Sequence, residues 1–470
     1  MKATPTVGLS LILALVFVLS SLPCTPCAYA VVAPQIDETR LPAAALPSPQ
    51  APTVQRRECV VATATSTTTP TQLAGLDLPH VRQLTRGAGQ RVAIIDTGVR
   101  RHPRLKSLVA GGDYVSTGDG TQDCDAHGTL VAGIIAATAN PGTDAFEGVA
   151  PEVTLISIRQ ASTRFGPADP GAQEGVGDVG TMAKAVRTAA DLGASVINIS
   201  SVACVAVGEE LDDRALGAAL AYAVDVKNAV VVAAAGNTGG GARCPSQPPG
   251  VTPETVAAVV SPAWYDDYVL TVGSVDARGE PSSFTMPGPW VDVAAPGENV
   301  TSLSPVNDGI VNSADGSAAP LSGTSYAAPI ASGLAALIRT RFPALTPRQV
   351  MDRITATAHP PPGGWDPFVG HGTVDVLAAV STDGAPAAAG PRHAATPTRA
   401  PDPQPQPQPQ PQVQPPEHTP ASAANRARAT AFVGTAICLL ALLGAAGSPA
   451  LKRAATPRSG RVRPDGVADD

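Results

Sequence analysis

Three stretches of this chain carry side chains that together could activate a hydroxyl for nucleophilic attack. In "VAIIDTGV" (92–99) an apolar run ends in Asp96 and turns at Thr97-Gly98. In "DAHGTLVAGIIAA" (125–137), His127 stands before Gly128 at the head of a run of small and apolar residues. In "SGTSYAAPIASGLAALI" (322–338), Ser325 opens another such run. A serine hydroxyl is a weak nucleophile until a hydrogen-bonded imidazole takes its proton. The imidazole in turn needs a carboxylate to fix its tautomer and stabilise its cation. Each residue alone has an ordinary reading, since strand-end aspartates start turns and serines cap helices. The order Asp, His, Ser, each beside glycine, is what points to chemistry.

Such a set works only if rigid elements hold it. Apolar, β-branched runs recur at 91–96, 153–159, 194–200, 229–236 and 268–275, with helical patterns at 180–193 and 211–228. Strands apolar on both faces, alternating with helices, predict an α/β fold with a central, mostly parallel sheet covered by helices on both faces. The carboxyl edge of such a sheet gathers ligand-handling residues, and Asp96 falls there. His127 at a helix N-terminus meets the positive end of the dipole, which predicts a neutral imidazole able to accept a proton. Thr346-Pro347 starts a further helix. Pro329 predicts that the helix after Ser325 begins near Tyr326, where the missing proline N–H is no loss. The Gly/Pro/Ala-rich stretch 160–180 reads as a mobile surface insertion.

The net charge of −7, with no basic stripe before the last fifty residues, excludes a general nucleic-acid binder. Lys2, the apolar run Val7–Leu22 and Ala28-Tyr29-Ala30 form a secretory signal peptide over 1–30. Near the other end, Arg428 and Lys452 bracket 23 uncharged residues, 429–451, enough for one transmembrane helix. Five basic residues follow it, against Arg426 and Arg428 before it, so the tail 452–470 is expected in the cytoplasm and all upstream residues outside. The chain thus reads as a type I, single-pass cell-membrane protein. Its domain at 86–380 follows an N-terminal extension (31–85) and is held off the membrane by a Pro-rich linker (381–428) that includes "PQPQPQPQPQ". Cys24 and Cys27 leave with the signal peptide and Cys438 lies in the span. Cys59, Cys124, Cys204 and Cys244 remain outside, where disulfides persist; three pairings are open.

"IIDTGV", "HGTLVAG" and "GTSYAAP" resemble the three signature motifs of the subtilisin-like serine proteases, the subtilases, over about residues 86–380. The resemblance implies a three-layer subtilisin-like fold and a serine endopeptidase acting on protein or peptide substrates through an acyl-enzyme. Asp96, His127 and Ser325 are then the triad. "AAAGN" (233–237) is similar to the family's oxyanion segment, which implies Asn237 as side-chain donor and the Ser325 N–H as the second. An extended substrate would add along Ser200, Ser201 and Val202, facing Ala235 and Gly236. Calcium is common in the family, but no run of acids assigns a site here, so no metal or cofactor is expected. The whole layout is similar to the mycosins, membrane-anchored subtilases associated with type VII secretion. That implies a secretion membrane complex as partner, and an N-terminal arm that either is a cleaved pro-segment or wraps the domain and stays. A bridge from Cys59 to Cys124 would tether it beside His127. The alternative function is a structural component of the secretion complex, with proteolysis secondary.

Overall fold

The sheet that carries Asp96 is built from runs that are buried on both sides. In the computed structural model its strands are β1 (Arg91–Asp96), β2 (Leu108–Asp113), β3 (Thr154–Arg159), β4 (Val196–Ile199), β5 (Val230–Ala234), β6 (Val269–Val275) and β7 (Val293–Pro296). They lie in the order β2-β3-β1-β4-β5-β6-β7, and every neighbouring pair is parallel. The structure describes residues 31–64, 71–169, 171, 175–239, 244–248, 250–314 and 319–381. The expected signal peptide, the linker beyond Ser381, the span 429–451 and the tail lie outside them. Among the described residues no helix is long and apolar enough to cross a membrane.

Seven α-helices accompany the sheet among the described residues: α1 (Leu78–Leu84), α2 (His127–Ala136), α3 (Val179–Asp191), α4 (Arg214–Ala221), α5 (Thr324–Arg341), α6 (Pro347–Thr357) and α7 (Val376–Ser381). Side chains on a strand alternate between faces. Val92 and Ile94 of β1 accordingly enter one core, shared with α2 and α5, and Ala93 and Ile95 enter the other, shared with α3 and α4. The three layers follow from that alternation. α6 begins as expected, with Thr346 and Gln349 forming a capping box around Pro347.

Both sheet edges escaped the sequence reading. β2 carries Gly111-Gly112, and β7 is four residues long and ends in Pro296. Glycine weakens the strand pattern, and proline is tolerated at an edge, where its missing N–H breaks no ladder bond.

The α5 helix also departs from expectation. It begins at Thr324, not near Tyr326, so Pro329 lies inside it rather than in its first turn. A proline there removes the N–H that would bond the carbonyl four residues back, which is that of Ser325. The Ser200 hydroxyl donates to that carbonyl instead, at 2.9 Å.

The extension runs along the domain through pairings far apart in sequence. The Val31 N–H donates to the Pro253 carbonyl, and Ala33, Ile36 and Leu41 pack on the α3/α4 core. Thr53–Gln55 pairs antiparallel with Phe165–Pro167, and Ala62–Ala64 pairs with Ile310–Ala314. This corrects the mobile-insertion reading of 160–180 for its described residues, 160–169, 171 and 175–180. Phe165–Pro167 is a strand, Ser162 pairs with Val176, and the buried Arg159 guanidinium sits 4.4 Å from the Phe165 ring centre. The strand's partner lies far upstream, so local composition could not announce it. Of the open pairings, the structure joins Cys59 to Cys124 and Cys204 to Cys244. They are 65 and 40 residues apart, loops whose closure is worth roughly 4 kcal/mol each.

Candidate active site

Asp96 ends β1 at the carboxyl edge of the sheet and is 3% exposed. Its Oδ1 accepts the Thr97 backbone N–H at 2.7 Å and lies 2.8 Å from His127 Nδ1. A carboxylate only accepts, so Nδ1 carries the hydrogen and Nε2 is left as the acceptor. That Nε2 stands 2.9 Å from Ser325 Oγ, which can therefore donate to it. The three residues, far apart in the chain, form one continuous chain of hydrogen bonds.

Local capping explains why His127 sits where it does. It is the first residue of α2, whose leading N–H groups have no partner within the helix. Thr97 Oγ1 accepts the Gly128 N–H and donates to Asp123 Oδ1; Asp123 Oδ2 accepts the Thr129 N–H and hydroxyl. The residue after Asp96 and the residue before Cys124 thus pin the helix that bears the imidazole. Gly128 is required at this junction, because a Cβ there would stand 2.0 Å from the Gly98 carbonyl oxygen.

Electrostatics reverse the dipole expectation. Burial pulls the His127 imidazole toward lower pKa, but the charges of Asp96, Asp123 and Asp125, with the Asp96 hydrogen bond, outweigh it and hold the pKa above the ordinary value. Burial pushes the Asp123 carboxyl up to about 6 against the hydrogen bonds of Thr129 and Thr97. The Tyr326 ring lies 5.2 Å from that of His127, centre to centre, and burial raises its phenol. Because only neutral His127 can accept a proton, the acidic limb of kcat/KM should have its midpoint above about 6.5. Asp123→Asn removes one of the raising charges and should move that midpoint down, which a pH series of initial rates measures.

Asn237 follows β5, and its Oδ1 accepts the Thr324 N–H at 3.0 Å and the Thr324 hydroxyl at 3.1 Å. These donors identify the oxygen and free Nδ2. The point where a Gly323 Cβ would sit is 3.2 Å from Ser325 Oγ and 3.6 Å from Asn237 Nδ2. Glycine therefore leaves room between the hydroxyl and the amide. Ser325, second in α5, also has a first-turn N–H without an intrahelical partner. A carbonyl oxygen placed in that space meets two donors.

The five expected substrate contacts fall in different settings. Ser201 and Val202 are half-buried and line a pocket of about 180 Å³ with Gln160, Val179, Met182 and Leu216. Gly236 is buried, at φ +94°, and a Cβ on it would meet Val202 at 3.3 Å. Ala235 is buried with its N–H donated to Val272. Ser200 points inward to Ser325, as described.

The subtilase-family model matches residues 87–372, which hold Asp96, His127, Asn237 and Ser325. Mycosin-4 of Mycobacterium tuberculosis is 61% identical over 456 residues, 95% of each chain. The solved MycP3 protease of the type VII (ESX-3) secretion system superposes with a TM-score of 0.70 at 47% identity, covering 75% of this chain and 100% of that one. A chain of the periplasmic assembly of the ESX-5 inner membrane complex gives 0.72 at 42% identity, covering 82% and 100%. This chain belongs to the mycosin branch of the subtilase family. By family it is a subtilisin-like serine protease.

Several residues that shape the site in this subtilase were not singled out in the sequence. Thr97 was read only as part of the turn after Asp96, and Asp123 lies four residues before His127. The signal for Asp123 was an acid just before a helix whose own N-cap, Ala126, has no side-chain acceptor. Asn198 is fully buried in the otherwise apolar strand β4, and a lone amide there was the mark that could have found it.

Proposed function

We propose that the chain is a membrane-anchored, extracytoplasmic serine endopeptidase of a type VII secretion complex, cleaving exported proteins. The observation that carries it is the unbroken line of contacts from Asp96 through His127 to Ser325. As Ser325 Oγ attacks the scissile carbonyl, His127 Nε2 takes its proton, and Asp96 stabilises the resulting imidazolium. The tetrahedral oxyanion occupies the space beside Gly323, held by the Ser325 N–H and Asn237 Nδ2. His127 then protonates the leaving amine, and water repeats the sequence on the acyl-enzyme. The substrate lies extended along residues 200–202, with Ala235 and Gly236 opposite, and the pocket beside Val202 receives a side chain. Asn237→Ala should lower kcat by about 10²–10³-fold, the range known for such a donor in this family, with KM little changed. Steady-state rates check it.

Export by residues 1–30 and anchoring by 429–451, with the catalytic domain outside, complete the reading. Its support is the charge asymmetry around the span. A peptide library incubated with the chain and read by mass spectrometry tests the activity: defined cleavage products are expected, and their absence would defeat the reading. A second role, as a structural part of the secretion membrane complex, is favoured by the likeness to chains of the ESX-5 inner membrane complex. Secretion by cells carrying Ser325→Ala, compared with cells lacking the chain, separates the two. Equal failure argues against an independent structural role.

A further inference from the structure

The Ser325 backbone is held by a buried polar chain that is separate from the triad. Pro329 removes the N–H that would bind the Ser325 carbonyl, as shown above, and a buried carbonyl needs a partner. Ser200 Oγ supplies it at 2.9 Å. Ser200 Oγ in turn accepts from Asn198 Nδ2 at 2.9 Å, and Asn198 Oδ1 accepts from Ser332 Oγ at 2.8 Å. Asn198 and Ser332 are wholly buried, and Ser200 is 6% exposed. Ser200, just past the end of β4, lies two residues on from Asn198 and so on the same side of the extended chain, and residues 325 and 332 share one face of α5. One strand end thus grips the nucleophile helix at two points, a turn-pair apart, through three polar side chains among apolar neighbours.

We propose that Ser200, Asn198 and Ser332 are positioning residues that fix the Ser325 backbone, in place of the helix bond that Pro329 deletes. The Ser325 N–H and Oγ belong to the same residue as the gripped carbonyl. A shift of this peptide would therefore misalign both the nucleophile and the oxyanion donor. The inference rests on the reading of Ser325 as nucleophile and concerns the Ser200 side chain, whose hydroxyl faces Ser325, while its backbone stays in the stretch along which the substrate lies.

The test uses the full chain and two readouts: peptide hydrolysis, and the rate at which a fluorophosphonate modifies Ser325, followed by intact mass. Ser200→Ala should lower both kcat and the modification rate about tenfold with KM unchanged, as loss of an alignment should. Adding Pro329→Ala restores a backbone N–H to the Ser325 carbonyl. It should bring the rate of the double variant back to within about threefold of wild type. Melting curves for each variant separate this from a role in general stability, which would move the thermal midpoint without lowering the modification rate of the folded chain. Ser332→Ala, which cuts the chain from its far end, should slow modification by about threefold, and it serves if Ser200→Ala does not fold. The proposal is overturned by an unchanged rate in Ser200→Ala, by a rise in KM without a fall in kcat, by failure of Pro329→Ala to rescue, or by an unchanged rate in Ser332→Ala. A wild-type chain that reacts with the fluorophosphonate but cleaves no peptide would sink the protease reading and leave this test readable.

Discussion

Ser325→Ala is expected to lower kcat/KM by about six orders of magnitude, the size of loss found for this replacement elsewhere in the family. Its Oγ makes one hydrogen bond, to His127 Nε2, and gives none to the helix start. Removing it takes away the nucleophile and little else. The Ser325 carbonyl, its N–H and the Asn237 amide stay in place, so the thermal midpoint should hardly move. The residual rate should still exceed that in water by about 10³–10⁴-fold, from the oxyanion donors and substrate positioning alone. Progress curves on one cleaved peptide, with a melting curve for each protein, give both values.

Asp96→Ala is expected to cost about 10⁴ in kcat, less than loss of the nucleophile because the hydroxyl and imidazole remain. It should also leave a second mark. The Asp96 charge is the foremost of those that hold the His127 pKa up, so the acidic limb of kcat/KM should shift to lower pH even as the plateau falls. A replacement that acted only by loosening the fold would lower the plateau without that shift. Some loss of stability accompanies it, on the order of 1 kcal/mol, because the Thr97 N–H loses its acceptor.

What the sequence revealed of this site followed the reach of local pattern. Asp96, His127 and Ser325 each stand at a boundary between an apolar run and a glycine, visible within a few residues, whereas Asn237 alone reads as a turn and was reached only through the family resemblance. Strands buried on both faces were equally plain, since β-branched runs need no distant partner to be recognised. The rest depends on contacts that no window contains. Phe165–Pro167, within the expected insertion, is held by an arm strand far upstream and by the buried Arg159 under its Phe165 ring. The Pro329 rule was sound, yet the helix begins earlier, and the Ser200 hydroxyl just past β4 satisfies the orphan carbonyl. The dipole argument for His127 had the wrong sign in total, because the Asp96 charge, joined by those of Asp123 and Asp125, outweighs it. Edge strands with glycine or proline carried too little pattern to be seen.

The most direct measurement of the central claim is the site and pH dependence of fluorophosphonate modification in the wild-type chain. Peptide mapping should find the adduct on Ser325 alone. Its rate of formation should rise with pH through a midpoint above the ordinary imidazole value, as His127 loses its proton. An adduct on another residue, no adduct at all, or a rate indifferent to the ionisation of His127 would contradict the account.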